Sequence, residues 1–347
     1  MRTPSGLGLA MVLVSMVFPA SSGASAAPRF EVVPLVSDQA GVAAHRDPDL
    51  VNAWGVAHAP GGPNWVADNG TDKSTVYDRT TGMKGAPTIR IPHGAPTGVA
   101  FVPPGAGFEI TINGYRAPAT FLFDTESGAI EAWNYFASNK AVIVVDNSAK
   151  GSVYKGLALD PKDKLLFAAD FANGRVDVFN SRFRRILTFT DPGLPSRYAP
   201  FNVAWLDGKL YVAFAKREKG GTDEVAGKGF GFVDAFDAQG TLLKNLVSRG
   251  RLNAPWGMTL APKGFGQFEG ALLVGNFGDG LIHAYDASSG DALGAVRGKD
   301  GSPIAIDGLW ALDAGPNSNV TFTAGPDDET HGLLGLVSPA GAAKPTS

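Results

Sequence analysis

Two sets of residues in this 347-residue chain recur at matched positions and carry groups able to do chemistry. The first is Asp68, Asp124, Asp170, Phe214, Asn276 and Gly325, each closing a short apolar run such as Trp65-Val66-Ala67 or Leu166-Phe167-Ala168. Three carboxylates and an amide at equivalent positions supply hard oxygen ligands, which suit Ca²⁺ or Mg²⁺. Asp68, Asp124 and Asp170 are equally candidates to bind an organic ligand. The same residue types also cap turns through side-chain hydrogen bonds, as Asp68-Asn69-Gly70 and Asn276-Phe277-Gly278 would. The second set is Trp54, Thr97, Lys155, Phe201, Trp256 and Asp307, each just before a glycine or asparagine in another apolar run. Lys155 and Asp307 form a candidate catalytic pair if both side chains reach one space; the alternative is a structural ion pair. Trp54 and Trp256 offer flat faces to a sugar or planar ligand, or else pack as core.

Other chemistries are excluded by composition. With no cysteine, thiolate metal sites, cysteine nucleophiles and disulfides are all absent. Five scattered histidines make no H-E-x-x-H, and no G-x-S-x-G, P-loop or dinucleotide fingerprint occurs. The formal charge is -3, and the densest basic cluster is only Arg182, Arg184 and Arg185, so nucleic acid is not an expected partner. Two segments depart from the surrounding pattern. Residues 216–229 are charged and glycine-hinged, and Pro326-Asp327-Asp328-Glu329-Thr330-His331 sets three acids beside a histidine. Long loops with both signs of charge are functional lids or simply solvated.

The elements that must position these residues repeat six times. Trp54-Gly55-Val56-Ala57, Thr97-Gly98-Val99-Ala100 and Lys155-Gly156-Leu157-Ala158 are followed by Phe201-Asn202-Val203-Ala204, Trp256-Gly257-Met258-Thr259 and Asp307-Gly308-Leu309-Trp310. Successive copies begin 43 to 58 residues apart, the spacing of a four-stranded propeller blade. Each glycine-centred run reads as an innermost strand. A second strand follows, then a third ending in an aromatic, as in Val76-Tyr77-Asp78 or Val178-Phe179-Asn180, and then a fourth. The sixth unit lacks its fourth strand, and residues near Glu31 to Ser37 supply it. The expected fold is all-β: a six-bladed propeller of four-stranded blades, closed by an N-terminal strand, a device that removes open sheet edges.

Residues 1–26 read as an export signal. Arg2 precedes an apolar core from Leu7 to Phe18, and Ala24-Ser25-Ala26 is an A-x-A cleavage site. The propeller is expected over 27–338 and a tail over 339–347. The reading is periplasmic or secreted, with no membrane insertion after cleavage.

The stretches Trp65-Val66-Ala67-Asp68-Asn69-Gly70-Thr71, Asn253-Ala254-Pro255-Trp256-Gly257, Gly275-Asn276-Phe277-Gly278-Asp279-Gly280 and Ile306-Asp307-Gly308-Leu309-Trp310 resemble a family of exported bacterial NHL-like propellers. That resemblance implies six blades and export, and no particular activity. More distantly the chain is similar to the SMP-30/gluconolactonase group, which holds a divalent ion in its channel. Asn202 and Asp307 match that group's Asn and Asp ligands, whereas its first-blade Glu has no counterpart near Trp54. The expected function is therefore an exported module binding a small molecule or protein on its loop face. The rival is a divalent-metal-dependent hydrolase or lactonase, with Asp170, Asn202, Asn276 and Asp307 around one ion and Lys155 assisting. A third reading has the 216–229 loop capturing a partner in a surface assembly.

Overall fold

The computed structural model describes Met1 and residues 29–341, so the export signal read over 1–26 and most of the 339–347 tail lie outside the described residues. Six antiparallel sheets follow one another along the chain, with strands in simple meander order. Blade one is Ala53–His58, Asn64–Asp68, Lys73–Tyr77 and Ile89–Arg90. Blade two is Pro96–Phe101, Phe121–Thr125, Ala129–Trp133 and Val142–Asp146. An extra hairpin, Glu109–Ile112 with Tyr115–Pro118, accounts for the long spacing after this blade's first strand. Blade three is Tyr154–Asp160, Leu165–Asp170, Arg175–Asn180 and Arg185–Phe189. Blade four is Tyr198–Leu206, Lys209–Lys216, Gly231–Phe236 and Leu242–Ser248. Blade five is Pro255–Leu260, Leu272–Asn276, Ile282–Tyr285 and Ala292–Ala295.

Blade six takes only three strands from the C-terminal end, Leu309–Ala314, Val320–Ala324 and Leu333–Pro339. Its outer strand is Phe30–Ser37, antiparallel to Leu333–Pro339 from Phe30↔Pro339 to Ser37↔Leu333. The short His45–Arg46 segment then runs parallel along the outside of this strand. The expected six-bladed ring closed by an N-terminal strand is what forms.

The repeated motif has a mechanical meaning. In every blade the pairing between first and second strand slips at the motif. Four residues from Ala53 to Val56 face three from Asp68 to Val66, and the same occurs at Tyr154/Leu157 and Leu309/Leu312. Such a β-bulge bends the strand and sharpens its twist. Glycine is needed there because neighbouring inner strands nearly touch. A Cβ on Gly55 would overlap Thr97 O, one on Gly98 would overlap Leu157 N, and one on Gly257 would overlap Trp310 O.

Between the blades lie six apolar wedges. Trp65 and Val76 of blade one pack with Phe121, Phe123 and Trp133 of blade two. Equivalent clusters join two to three, three to four, four to five and five to six. Leu35, Val36, Leu334 and Leu336 meet Val66 and Tyr77 across the closure. The third-strand aromatics Tyr77, Trp133, Phe179, Phe236 and Tyr285 are all buried in these wedges. No helix among the described residues is long and apolar enough to cross a membrane.

Candidate functional site

The axis is not an open channel. Trp54, Phe171, Phe201, Trp256 and Trp310 fill it from the side of the loops that lead into the inner strands. Trp54 stacks on Trp310 with ring centroids 3.5 Å apart, and Phe277 stacks on the other side of Trp310 at 4.1 Å. Trp256 meets both tryptophans edge-on. On the far side of this plug the inner strands enclose a pit of about 220 Å³, lined in part by Val56, Trp205, Met258, Thr259 and Asp313. Trp54 and Trp256 are 2% and 3% exposed, so the expectation that they present faces to a ligand is corrected: they are the plug.

Above the plug, on the loop face, stands Lys155. Its position before Gly156 puts it on the innermost strand, and the bulge directs its stem over the rings of Trp54, Phe171 and Phe201, 5.4 to 5.7 Å from Nζ. The Trp256 indole donates to Lys155 O at 2.7 Å, fixing the backbone. The ammonium lies 3.2 Å from Glu126 Oε1, 3.4 Å from Asp223 Oδ1 and 3.3 Å from Glu224 Oε2. Burial disfavours its charge, but the carboxylates of Glu224, Glu126 and Asp223 outweigh that and hold it well above the ordinary lysine value. The three carboxylates thus favour the charged form of Lys155, which suits an electrostatic role.

A chain of amides joins this ammonium to the opposite side of the axis. Asn69 Nδ2 donates to Glu126 Oε2 at 3.0 Å, and Asn52 Nδ2 donates to Asn69 Oδ1 at 3.3 Å. Asn52 Nδ2 also donates to Glu329 Oε2 at 2.6 Å, while Asn52 Oδ1 accepts from the Trp310 indole at 2.9 Å. Asn52 holds this place with φ 48°, a left-handed conformation that asparagine tolerates. Burial raises the Glu329 carboxyl, and the negative charges of Glu224 and Glu126 raise it further. Burial likewise raises Glu224, opposed by Lys155. One ammonium thus meets three carboxylates, Glu126, Asp223 and Glu224, from blades two and four, and Glu329 of blade six joins them through Asn52.

The remaining expected site residues have other work. Asp307 is exposed, and its Oδ2 accepts the Asp327 N–H at 2.9 Å, so the expected Lys155–Asp307 pair is not made. The inner strand of blade six begins only at Leu309, which leaves Asp307 in the preceding turn. Asp124 accepts from Gly98 N at 2.6 Å, Thr97 Oγ1 at 2.9 Å and Gly156 N at 3.2 Å, stapling two inner strands together. Burial still pushes its pKa up to about 6. Asp68 accepts from Thr75 Oγ1 at 2.8 Å. Asp170 accepts from Ser152 Oγ at 2.9 Å and Asn173 Nδ2 at 2.8 Å. Asn276 accepts from Asn253 N at 3.1 Å and donates to Arg251 O at 2.9 Å. All four are fully buried, which makes them turn staples and removes Asp68, Asp124 and Asp170 from the reach of a ligand.

Asn202 replaces the central glycine in blade four and spans the gap, donating to Trp256 O at 2.8 Å while Oδ1 accepts from Val203 N at 2.8 Å. Asp170, Asn202, Asn276 and Asp307 therefore have separate partners and do not gather around one point. Among the described residues no group of three or more His, Asp or Glu side chains is placed to hold a metal ion.

Sequence reasoning placed Lys155 and the two unusual loops but missed what they share. Glu126 gave no signal, being one acid in an ordinary turn. Asp223, Glu224 and Glu329 were legible only as loops that break the repeat.

Fold and plugged axis define a six-bladed β-propeller, and solved structures agree. The chain is similar to a glucose dehydrogenase (13% identity, 89% of this chain and 100% of that one, TM-score 0.56). It is similar also to a luciferin-regenerating enzyme (14%, 85% and 93%, 0.55) and to the virginiamycin B lyase of Staphylococcus aureus (10%, 91% and 90%, 0.51). At these identities the likeness concerns the fold alone. No protein-family model matches the chain. By sequence it is 34% identical over 321 residues to "Uncharacterized protein R648" of Acanthamoeba polyphaga mimivirus, covering 87% of this chain and 78% of that protein. "Uncharacterized protein L690" of the same virus is also 34% identical, with 87% and 83% covered. The chain belongs to the family of these mimivirus proteins. The resemblance to a bacterial family is thereby corrected, since these relatives are viral and extend across most of the propeller.

Proposed function

We propose that this protein is a binding propeller whose ligand meets it at the loop-face mouth of the axis, around Lys155, Glu126, Glu224 and Glu329. The observation that carries this reading is convergence. Side chains of blades two and four converge on the buried ammonium of blade three, and Glu329 of blade six lies within Coulombic reach of it. A core that needed only stability would not gather one cation and four acids on a face already sealed by aromatic rings, because desolvating charges is costly. Binding is favoured over catalysis because three carboxylates engage the Lys155 amine and stabilise its charged form.

The test is a thermal-shift screen of folded protein against amino acids, small acids, amines, neutral sugars and divalent cations, repeated with E126Q and K155Q. Compounds that stabilise the native protein should lose their effect in both variants. Compounds that act undiminished on both variants, but not on a protein whose far-side pit is filled by Ala158→Leu, would place the ligand in the pit instead.

A further inference from the structure

We propose that the mouth takes a small carboxylate anion at Lys155 Nζ, in the place now held by the carboxylates of Asp223 and Glu224. The proposal rests on the reading of the mouth as the ligand site, and four observations support it. Of the three acids on the ammonium, Glu126 belongs to the frame, held by Asn69 at 3.0 Å, whereas Asp223 and Glu224 are both carried on the 216–229 loop. Asp223 is exposed and no apolar side chain of that loop is buried, although the Glu224 side chain is only 9% exposed. Backbone hydrogen bonds run from Glu218 N to Asp223 O at 2.9 Å, from Val225 N to Lys216 O at 2.7 Å and from Gly229 N to Leu252 O at 2.8 Å, and Gly227 N donates to Asn253 Oδ1 at 2.5 Å. Moving 218–224 therefore exchanges polar contacts for water and uncovers the Glu224 carboxylate, but no buried apolar side chain of the loop.

A donor also waits for an acceptor. Trp54 Nε1 is buried with no hydrogen-bond partner, and it belongs to the ring nearest Nζ. The ammonium and the indole N–H are both donors, and a carboxylate is a group that can accept from either. Finally, the flank of the loop opens into a cavity of about 420 Å³ lined by Arg197, Arg217 and Lys219 against a single acid, Glu218. That flank favours the approach of an anion. Replacing the loop's carboxylates by those of a ligand leaves the charge around Lys155 unchanged, so the loop acts as a built-in competitor.

Isothermal titration of the D223N/E224Q protein with succinate and citrate, and with neutral succinamide, tests this. With the competitor disabled, at least one acid should bind at least about tenfold tighter than to the native chain, because the competent state is no longer a minor one. Adding K155Q to that background should abolish binding, and K155R should preserve part of it should the glutamine variant not fold. Native protein given the same acid should show faster amide exchange over 216–229. Equal binding of succinamide, or no acid binding to folded D223N/E224Q, overturns the carboxylate assignment. If an amine or sugar from the screen still binds in a Glu126- and Lys155-dependent way, the mouth stands and only the ligand class falls. If no compound depends on the mouth, both fall.

Discussion

Glu131 and Asp234 occupy the same register in different blades, opposite Phe123 and Val212, and both are buried acids. Burial pushes each up to about 7, from 4.5 for Glu131 and 3.8 for Asp234. The folded chain thus keeps protons that the unfolded chain has already released, and stability falls as pH rises from those ordinary values through about 7. E131Q and D234N should each flatten the decline of melting temperature across that window; an unchanged slope in both would show that these acids do not titrate with folding. Asp177 stands at the equivalent place but is met by Arg175 Nε at 2.8 Å and Arg185 Nη1 at 2.9 Å, so it is compensated. Lys155 makes the opposite case of a charge that the site needs. K155M strands Glu126 and Glu224 and should cost about 3–5 kcal/mol in denaturant unfolding. K155M/E224Q should recover part of that loss, and strict additivity would mean that the two residues do not interact.

At the scale of the strand, the glycine motif was legible because it is demanded by backbone crowding. That crowding places Gly55, Gly98, Gly156 and Gly257 at the tight position of four blades, with Asn202 in blade four and Ala311 in blade six. A polar row in the third strands was not among the expectations, although Thr75, Glu131, Asp177, Asp234 and His283 each stand two residues before a buried aromatic. The mouth was not legible, since Glu126 meets Lys155, and Glu329 meets Asn52, only once the blades have packed, and nothing local ties them together. The same limit explains the Asp307 error: one residue in the row before a glycine lies outside its strand, and spacing alone cannot tell a strand's first residue from the turn ahead of it. Bulge and glycine act as one device, so a single methyl group should break it. Gly156→Ala puts a Cβ onto Asn202 Oδ1 and its backbone. The strained fit should cost at least about 1–3 kcal/mol. Gly151→Ala serves as the comparison, with φ 66° but open space around it, and it should cost less. Similar losses in both would mean that conformational freedom, and not close approach, sets the motif.

For the molecule as a whole, stability depends on closure, because each wedge of core is shared by two blades and the last wedge exists only when Phe30–Ser37 is in place. Phe30, Leu35 and Val36 are each no more than 3% exposed, and burying side chains of this kind contributes about 1.5–3 kcal/mol apiece. The clasp also covers the outer edge of Leu333–Pro339, which would otherwise be free to pair with another chain. Deleting 29–37 should therefore abolish a single cooperative unfolding transition and produce concentration-dependent association. What the ring requires is the pairing, however, and not termini at that point. Phe30 lies opposite Pro339, and Ala340 N donates to Arg29 O at 2.6 Å, so a short turn can join 340 to 29 as an ordinary hairpin. New ends can be opened at Asp207-Gly208, an exposed turn in blade four that lies between paired strands. This circular permutant should fold, melt in one transition and retain any ligand that depends on Lys155. If it aggregates as the deletion does, closure by strand pairing is not what holds the six blades together, and the order in which the blades form must matter instead.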